Sequence, residues 1–169
     1  AAKYGGEVKV GIFDTFPGFC VSNNPANSAL MATRSIYETL FERTVGGDYV
    51  GLLASSGTPS ADLKTWTITL REGITFHDGA AFNAAAVVTN YQAITGLIAA
   101  GAYAAGGLAG YASKGYTVGT AVAFAANIKS FSAKSTYVVE FVLDRAQNDF
   151  LGTLYASGRG FMRSPAQFA

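Results

Sequence analysis

His77 is the only histidine in the 169 residues, so any acid–base or metal chemistry that uses imidazole has to pass through it. Its neighbour Asp78 makes the pair a candidate general base with its orienter, the arrangement a hydrolase domain would use. Adjacent residues on an extended segment point to opposite sides, however, which leaves neither well placed to align the other. The competing reading puts His77 over a turn built by Asp78 and Gly79, since Asp bonds its own backbone and Gly accepts positive φ. The 11 carboxylates are dispersed, and no two stand out as an acid–base couple. There is no Gly-x-Ser-x-Gly elbow, no Cys-x-x-Cys pair, no phosphate-cradling glycine loop and no His-Glu-x-x-His zinc helix. The sequence therefore yields no catalytic residue, no metal ligand set and no cofactor. Cys20 stands alone, which excludes an internal disulfide framework and a thiolate metal cage, and it reads as a small buried hydrophobe.

Two aromatic groups could do more than fill a core. Phe13, Phe16 and Phe19 surround Pro17-Gly18, and Tyr103 sits in a Gly/Ala-rich stretch where its ring is exposed unless something covers it. Loops carry binding groups more often than scaffold does. Core or loop packing is the alternative for each.

The elements that must position these groups follow from periodicity. Val8, Val10 and Ile12 alternate with Lys9 and Gly11, which predicts a first strand over 7–13. From Pro25 the period becomes helical, through Leu30, Thr33, Tyr37, Leu40 and Phe41, with Asn27 or Ser28 as cap. Gly46-Gly47-Asp48 between short apolar runs predicts a hairpin over 43–53, and a turn follows at 59–62. Trp66, Ile68 and Leu70 alternating with Thr65, Thr67 and Thr69 make the clearest strand, half packed and half wet. Turns at Glu72-Gly73 and His77–Gly79 precede a helix capped by Asn83 and running to about Thr95, with Val87, Val88, Tyr91 and Ile94 towards the core. Residues 96–126 read as loop with short helices. A hairpin over 128–143 with its turn at 133–135, a short helix over 147–155, and a strand leading to a Ser164-Pro165 turn complete the chain. This order predicts an α+β fold, a mixed sheet with short hairpins and packed helices.

Composition narrows the function classes. Half the residues are hydrophobic and 14% are charged, which argues against disorder. A domain of this length can bury roughly 70% of its unfolded surface. Net charge is +1 with Lys and Arg scattered singly, so no basic stripe offers itself to nucleic acid. The longest apolar run, 97–112, is broken by four glycines and falls short of the ~20 residues a bilayer requires. No charged n-region with an apolar h-region opens the chain, so an export signal is expected to lie outside it.

The segments Ile36-Tyr37-Glu38-Thr39-Leu40, Trp66 through Gly79, Phe82-Asn83-Ala84 and Val87-Val88 together resemble the bacterial extracellular solute-binding protein family 5, the dipeptide, oligopeptide and nickel-binding group that serves ABC importers. The opening Gly5 to Gly11 is similar to that family's first strand, and the 137–143 strand, Phe150-Leu151 and Ser164-Pro165 to its continuation. One departure is Ala86, where the family usually has an acidic residue just before the paired valines. The reciprocal half of a capping box is then missing.

The resemblance implies part of lobe one of a two-lobed periplasmic-binding-protein-like fold. Residues 1–169 are expected to be its first strand plus outer subdomain, with the rest of lobe one and all of lobe two outside this chain. It further implies a non-enzymatic, extracytoplasmic protein whose partners are a peptide or other small solute and the subunits of an ABC permease. Any membrane attachment is expected through a lipid anchor outside this chain. In the family the loop after the first strand and the segment after the capped helix approach the cleft. Carried over, these make Tyr103, Asn27 and Ser28 the expected ligand-binding residues. Two readings compete with capture for transport: a hydrolase domain using His77 and Asp78, and a structural or partner-docking module with no ligand of its own.

Overall fold

The structure is a computed structural model and describes residues 5–7, 9–11, 27–95, 125–156 and 160–168. At its centre is a four-stranded antiparallel sheet in the order β3-β4-β6-β5, formed by β3 (Ala54–Pro59), β4 (Thr65–Leu70), β5 (Ile128–Ser135) and β6 (Val138–Leu143). The period-two pattern decides which face packs. Trp66, Ile68 and Leu70 are buried on β4 and Val139, Phe141 and Leu143 on β6, while Thr67 is exposed. Register places Trp66 opposite Phe141 and Ile68 opposite Val139, so large apolar side chains pair directly across the central strands.

Two helices cover that face. α2 (Ala84–Thr95) buries Ala84, Val87 and Tyr91, with the Tyr91 ring edge-on to Phe141 at 4.8 Å between centroids. Burial pushes the pKa of the Tyr91 hydroxyl upward. The Asn83 side-chain oxygen accepts the Ala86 N–H at 3.0 Å, the expected cap. Ala86 itself is buried, which explains why no acidic side chain stands there to complete a capping box. α3 (Phe150–Tyr155) adds Phe150 and Leu154, and Phe150 lies 5.7 Å from Trp66 and 5.4 Å from Phe141. The Trp66 indole N–H donates to the Gln147 carbonyl at 3.2 Å, so the lead into α3 is fixed to the sheet.

The expected 43–53 hairpin is present as β1 (Phe41–Arg43) and β2 (Tyr49–Gly51), with Phe41 opposite Gly51. Several other boundaries differ from the sequence reading. α1 (Asn27–Thr33) ends well before Tyr37, Leu40 and Phe41. Leu40 and Phe41 are buried and Tyr37 is half-buried, which gives the helical spacing, but Leu40 lies in an extended stretch, and its carbonyl accepts the Leu52 and Ala54 N–H groups at 3.0 Å each. β3 is a strand that periodicity missed. Its sequence Ala-Ser-Ser-Gly-Thr-Pro has little β-propensity, and a Cβ on Gly57 would stand 2.6 Å from a Leu151 methyl, so glycine lets Leu151, Ile68 and Phe41 close over the strand without shifting.

The turn expected at 133–135 lies instead at Thr136-Tyr137, with Ser135 paired to Val138. β5 is mostly exposed, so its weak strand-formers are held by the ladder to β6. The helix expected from Gln147 begins at Phe150, and the strand expected near the C-terminus reduces to a bridge between Phe161 and Thr39, followed by a 3-10 turn at Pro165–Phe168. The α+β class holds, while the sheet expected to be mixed is antiparallel in every described pairing. β3–β4 and β5–β6 are hairpins, which are antiparallel by construction, and the long return from β4 through α2 to β5 sets β6 antiparallel against β4. Of the expected first strand only residues 7 and 9–11 are described; they carry no regular structure, and Val10 is exposed. The loop expected over 96–126 lies outside the described residues except at 125–126.

Candidate functional site

Residues 74–82 form a tight hairpin below the sheet. Thr75 bridges Ala81, Phe76 N–H donates to the Ala80 carbonyl at 2.8 Å, and Phe82 N–H donates to the Ile74 carbonyl at 2.9 Å. Gly79 closes it with φ of +85°, a conformation that a side chain would strain. The result sets Phe76 edge-on to Phe82, 5.7 Å apart, and presents His77 and Asp78 to solvent.

A cleft of about 430 Å³ opens between this hairpin, the turn at 34–38 and the segment 162–167. Leu53, Ile74, Phe82 and Met162 make its apolar floor, Arg34, Glu38, Asp78 and Arg163 bring charge to its walls, and His77 adds an imidazole. A second, more open cavity of about 470 Å³ shares Arg34, Tyr37 and Glu38 and continues past Glu42 and Arg43. The Arg34 guanidinium sits 5.5 Å above the Tyr155 ring and donates to its hydroxyl at 3.4 Å.

Asp78 uses both carboxylate oxygens on neighbours other than His77. One accepts the Ala80 N–H at 3.0 Å and the other accepts the hydroxyl of Ser164. Those two bonds, the Ser164 hydroxyl first, hold its carboxyl below the ordinary carboxylate range. Among the described residues His77 makes no hydrogen bond, so the base-and-orienter pair that adjacency suggested is not formed. A carboxylate kept ionised by donors is a weak base, and the Ser164 hydroxyl is buried with its proton directed at it. The trio lines one cleft without the nucleophile–imidazole contact that acyl transfer requires.

Asn90 fixes the far wall. It is fully buried on α2, and its side-chain N–H donates to the Arg163 carbonyl at 2.8 Å and to the Ala86 carbonyl at 2.9 Å, while its oxygen accepts the Arg163 N–H at 2.9 Å. The amide thus imitates a strand neighbour for the 161–164 segment. Among the described residues no group of three His, Cys, Asp or Glu could hold a metal ion, and no helix is long and apolar enough to cross a membrane.

Of the expected binding residues, Tyr103 lies outside the described residues, as do the side chains of Asn27 and Ser28, whose backbone starts α1. Phe13, Phe16, Phe19 and Cys20 also lie outside them. Arg34, Glu38 and Arg163 were not singled out from sequence, because they are scattered charges that only the fold brings together. The Ser164-Pro165 turn was the one local signal for that wall.

A family model described as "Bacterial extracellular solute-binding proteins, family 5 Middle" matches residues 48–165. The nickel-binding periplasmic protein of Escherichia coli K12 is 38% identical over 65 residues, which are 38% of this chain and 12% of that protein. The glutathione-binding protein GsiB of Pectobacterium atrosepticum is 43% identical over 67 residues, 38% of this chain and 13% of its own length. Among solved structures, a dipeptide binding protein from Pseudoalteromonas sp. SM9913 in complex with Met-Leu superposes with a TM-score of 0.69 at 20% identity, covering 88% of this chain and 29% of the other. NikA from Brucella suis in complex with Fe(III)-EDTA gives 0.65 at 22% identity, over 83% and 24%. These matches show the fold, and they span less than a third of each longer protein.

Proposed function

We propose, from the premise that this chain belongs to the family 5 bacterial extracellular solute-binding proteins, that the whole protein captures a peptide or similarly small solute outside the cytoplasmic membrane and delivers it unchanged to an ABC permease. The observation that carries this reading is the match over residues 48–165, which contains the hairpin, the capped helix and the wall segment as far as Pro165. Names of relatives support the solute class: one is called nickel-binding and periplasmic, another glutathione-binding, and a similar structure holds a dipeptide. Within such a protein the chain corresponds to the first strand plus the outer subdomain of lobe one, and Tyr103, Asn27 and Ser28 contribute to the ligand face. The chain itself performs no chemistry, and any attachment to the membrane is by a lipid anchor.

A hydrolase reading is not favoured, since Asp78 is bonded to Ser164 and Ala80 and leaves His77 without its orienter. Calorimetry of the full-length protein against a set of dipeptides and tripeptides, paired with a peptide-hydrolysis assay, tests the proposal. Saturable binding with no turnover is expected. Turnover that His77→Ala abolishes contradicts it.

A further inference from the structure

The wall of the cleft formed by residues 161–168 is held at its two ends by ties of different kinds. At the inner end the ties are buried and redundant. Phe161 bridges Thr39, Met162 N–H donates to the Glu38 carbonyl at 2.8 Å, and the fully buried Asn90 amide takes both main-chain groups of Arg163. Releasing Arg163 strands a buried donor and acceptor together, which makes that end a fixed point.

The outer end differs in kind. Beyond Arg163 the turn at Pro165–Phe168 rests against α2, and among the described residues one side-chain bond ties the segment back to the hairpin, from the Ser164 hydroxyl to the exposed Asp78 carboxylate. Within the segment the Ser164 oxygen accepts the Ala166 N–H at 3.3 Å, and Gln167 N–H donates to the Ser164 carbonyl at 3.0 Å. The Asp78 carboxylate is already exposed, and outward movement of the segment lets water reach the buried Ser164 hydroxyl as well, so this tie can break while the inner ones hold. Ser164 and Gln167 line the cleft beside His77 and Asp78, so the tie controls that corner of the cavity.

We propose that residues 161–168 are a strap, pinned at Arg163 by Asn90 and latched at Ser164 by Asp78, which opens the cleft from the latch side while the pin stays closed. Asn90 is a positioning residue in this device and Asp78 its release point. The proposal does not depend on which solute the protein carries.

Amide hydrogen exchange on the full chain, with Ser164→Ala, Asp78→Ala and the double variant, tests it. Each single variant is expected to speed exchange at Gln167 by about tenfold, as for a local opening, while Arg163, Met162 and Ile68 stay within about twofold. The double variant is expected to match the singles at Gln167, since the latch bond is lost in all three; Asp78→Ala also frees the Ala80 N–H and Ser164→Ala the Ala166 N–H, so those two amides are left out of the comparison. Asn90→Leu is expected to speed exchange at both Arg163 and Gln167. Unchanged exchange at Gln167 in either single variant, or equal acceleration at Gln167, Arg163 and Ile68, overturns the proposal.

Discussion

The sheet core and the inner end of the cleft wall are both buried, yet they are held by opposite means. Trp66, Ile68, Val139, Phe141, Tyr91 and Phe150 form a contiguous apolar mass in which each side chain has several neighbours, so no single contact defines the geometry. The cleft wall is placed by a handful of directional bonds from Asn90, Asp78 and the backbone of Glu38. Loss of core packing should therefore show as global instability. Loss of a cleft bond should show as local displacement with a smaller global cost.

The largest effect expected is from Phe141→Ala, which removes a fully buried ring that contacts Tyr91, Phe131 and Phe150. It should lower unfolding free energy in urea by about 3–5 kcal/mol. A loss below about 1 kcal/mol would mean the packing is not continuous at that point. Asn90→Leu comes next, at about 2–4 kcal/mol by the same titration, because it leaves the Arg163 N–H and carbonyl unpaired in the interior. If it proved neutral, the wall would not depend on the amide. Asn83→Ala should cost about 1 kcal/mol, the ordinary value of a helix cap, and should leave the cleft alone.

The smallest effect expected is the pH dependence of Asp78. Its folded pKa lies below the unfolded value, so its contribution to stability is fully present above the unfolded carboxyl pKa of about 4 and is lost as pH falls through the folded pKa. Asp78→Asn should flatten the acid limb of the stability curve slightly relative to the parent chain. Asp62, lowered by the Ser60 hydroxyl and the Lys64 N–H, has the same sign, so Asp62→Asn is the control that separates the two. An acid limb steeper in Asp78→Asn than in the parent would reverse the assignment.

The same contrast explains how much was legible beforehand. β4, α2 and the buried residues of β6 repeat an apolar side chain at a fixed period, so their place in the core could be read directly, as could the Asn83 cap. β3 could not, because its fit depends on a missing side chain at Gly57. The turn at Thr136-Tyr137 was displaced in the reading because an edge strand borrows its order from β6. The cleft was least legible of all. Asn90 to Arg163 and Asp78 to Ser164 are contacts across more than 70 residues between side chains that carry no periodic signal. His77, the residue most suggestive of chemistry, stands exposed on a turn whose Asp is engaged elsewhere.

The claim that matters most is capture without chemical change, and native mass spectrometry of the full-length protein, purified without unfolding from its host, addresses it directly. The account predicts one peptide-sized or smaller solute bound per protein, recovered at its original mass after prolonged incubation. Recovery of the solute as cleavage products, with His77→Ala preserving it intact, would contradict the account.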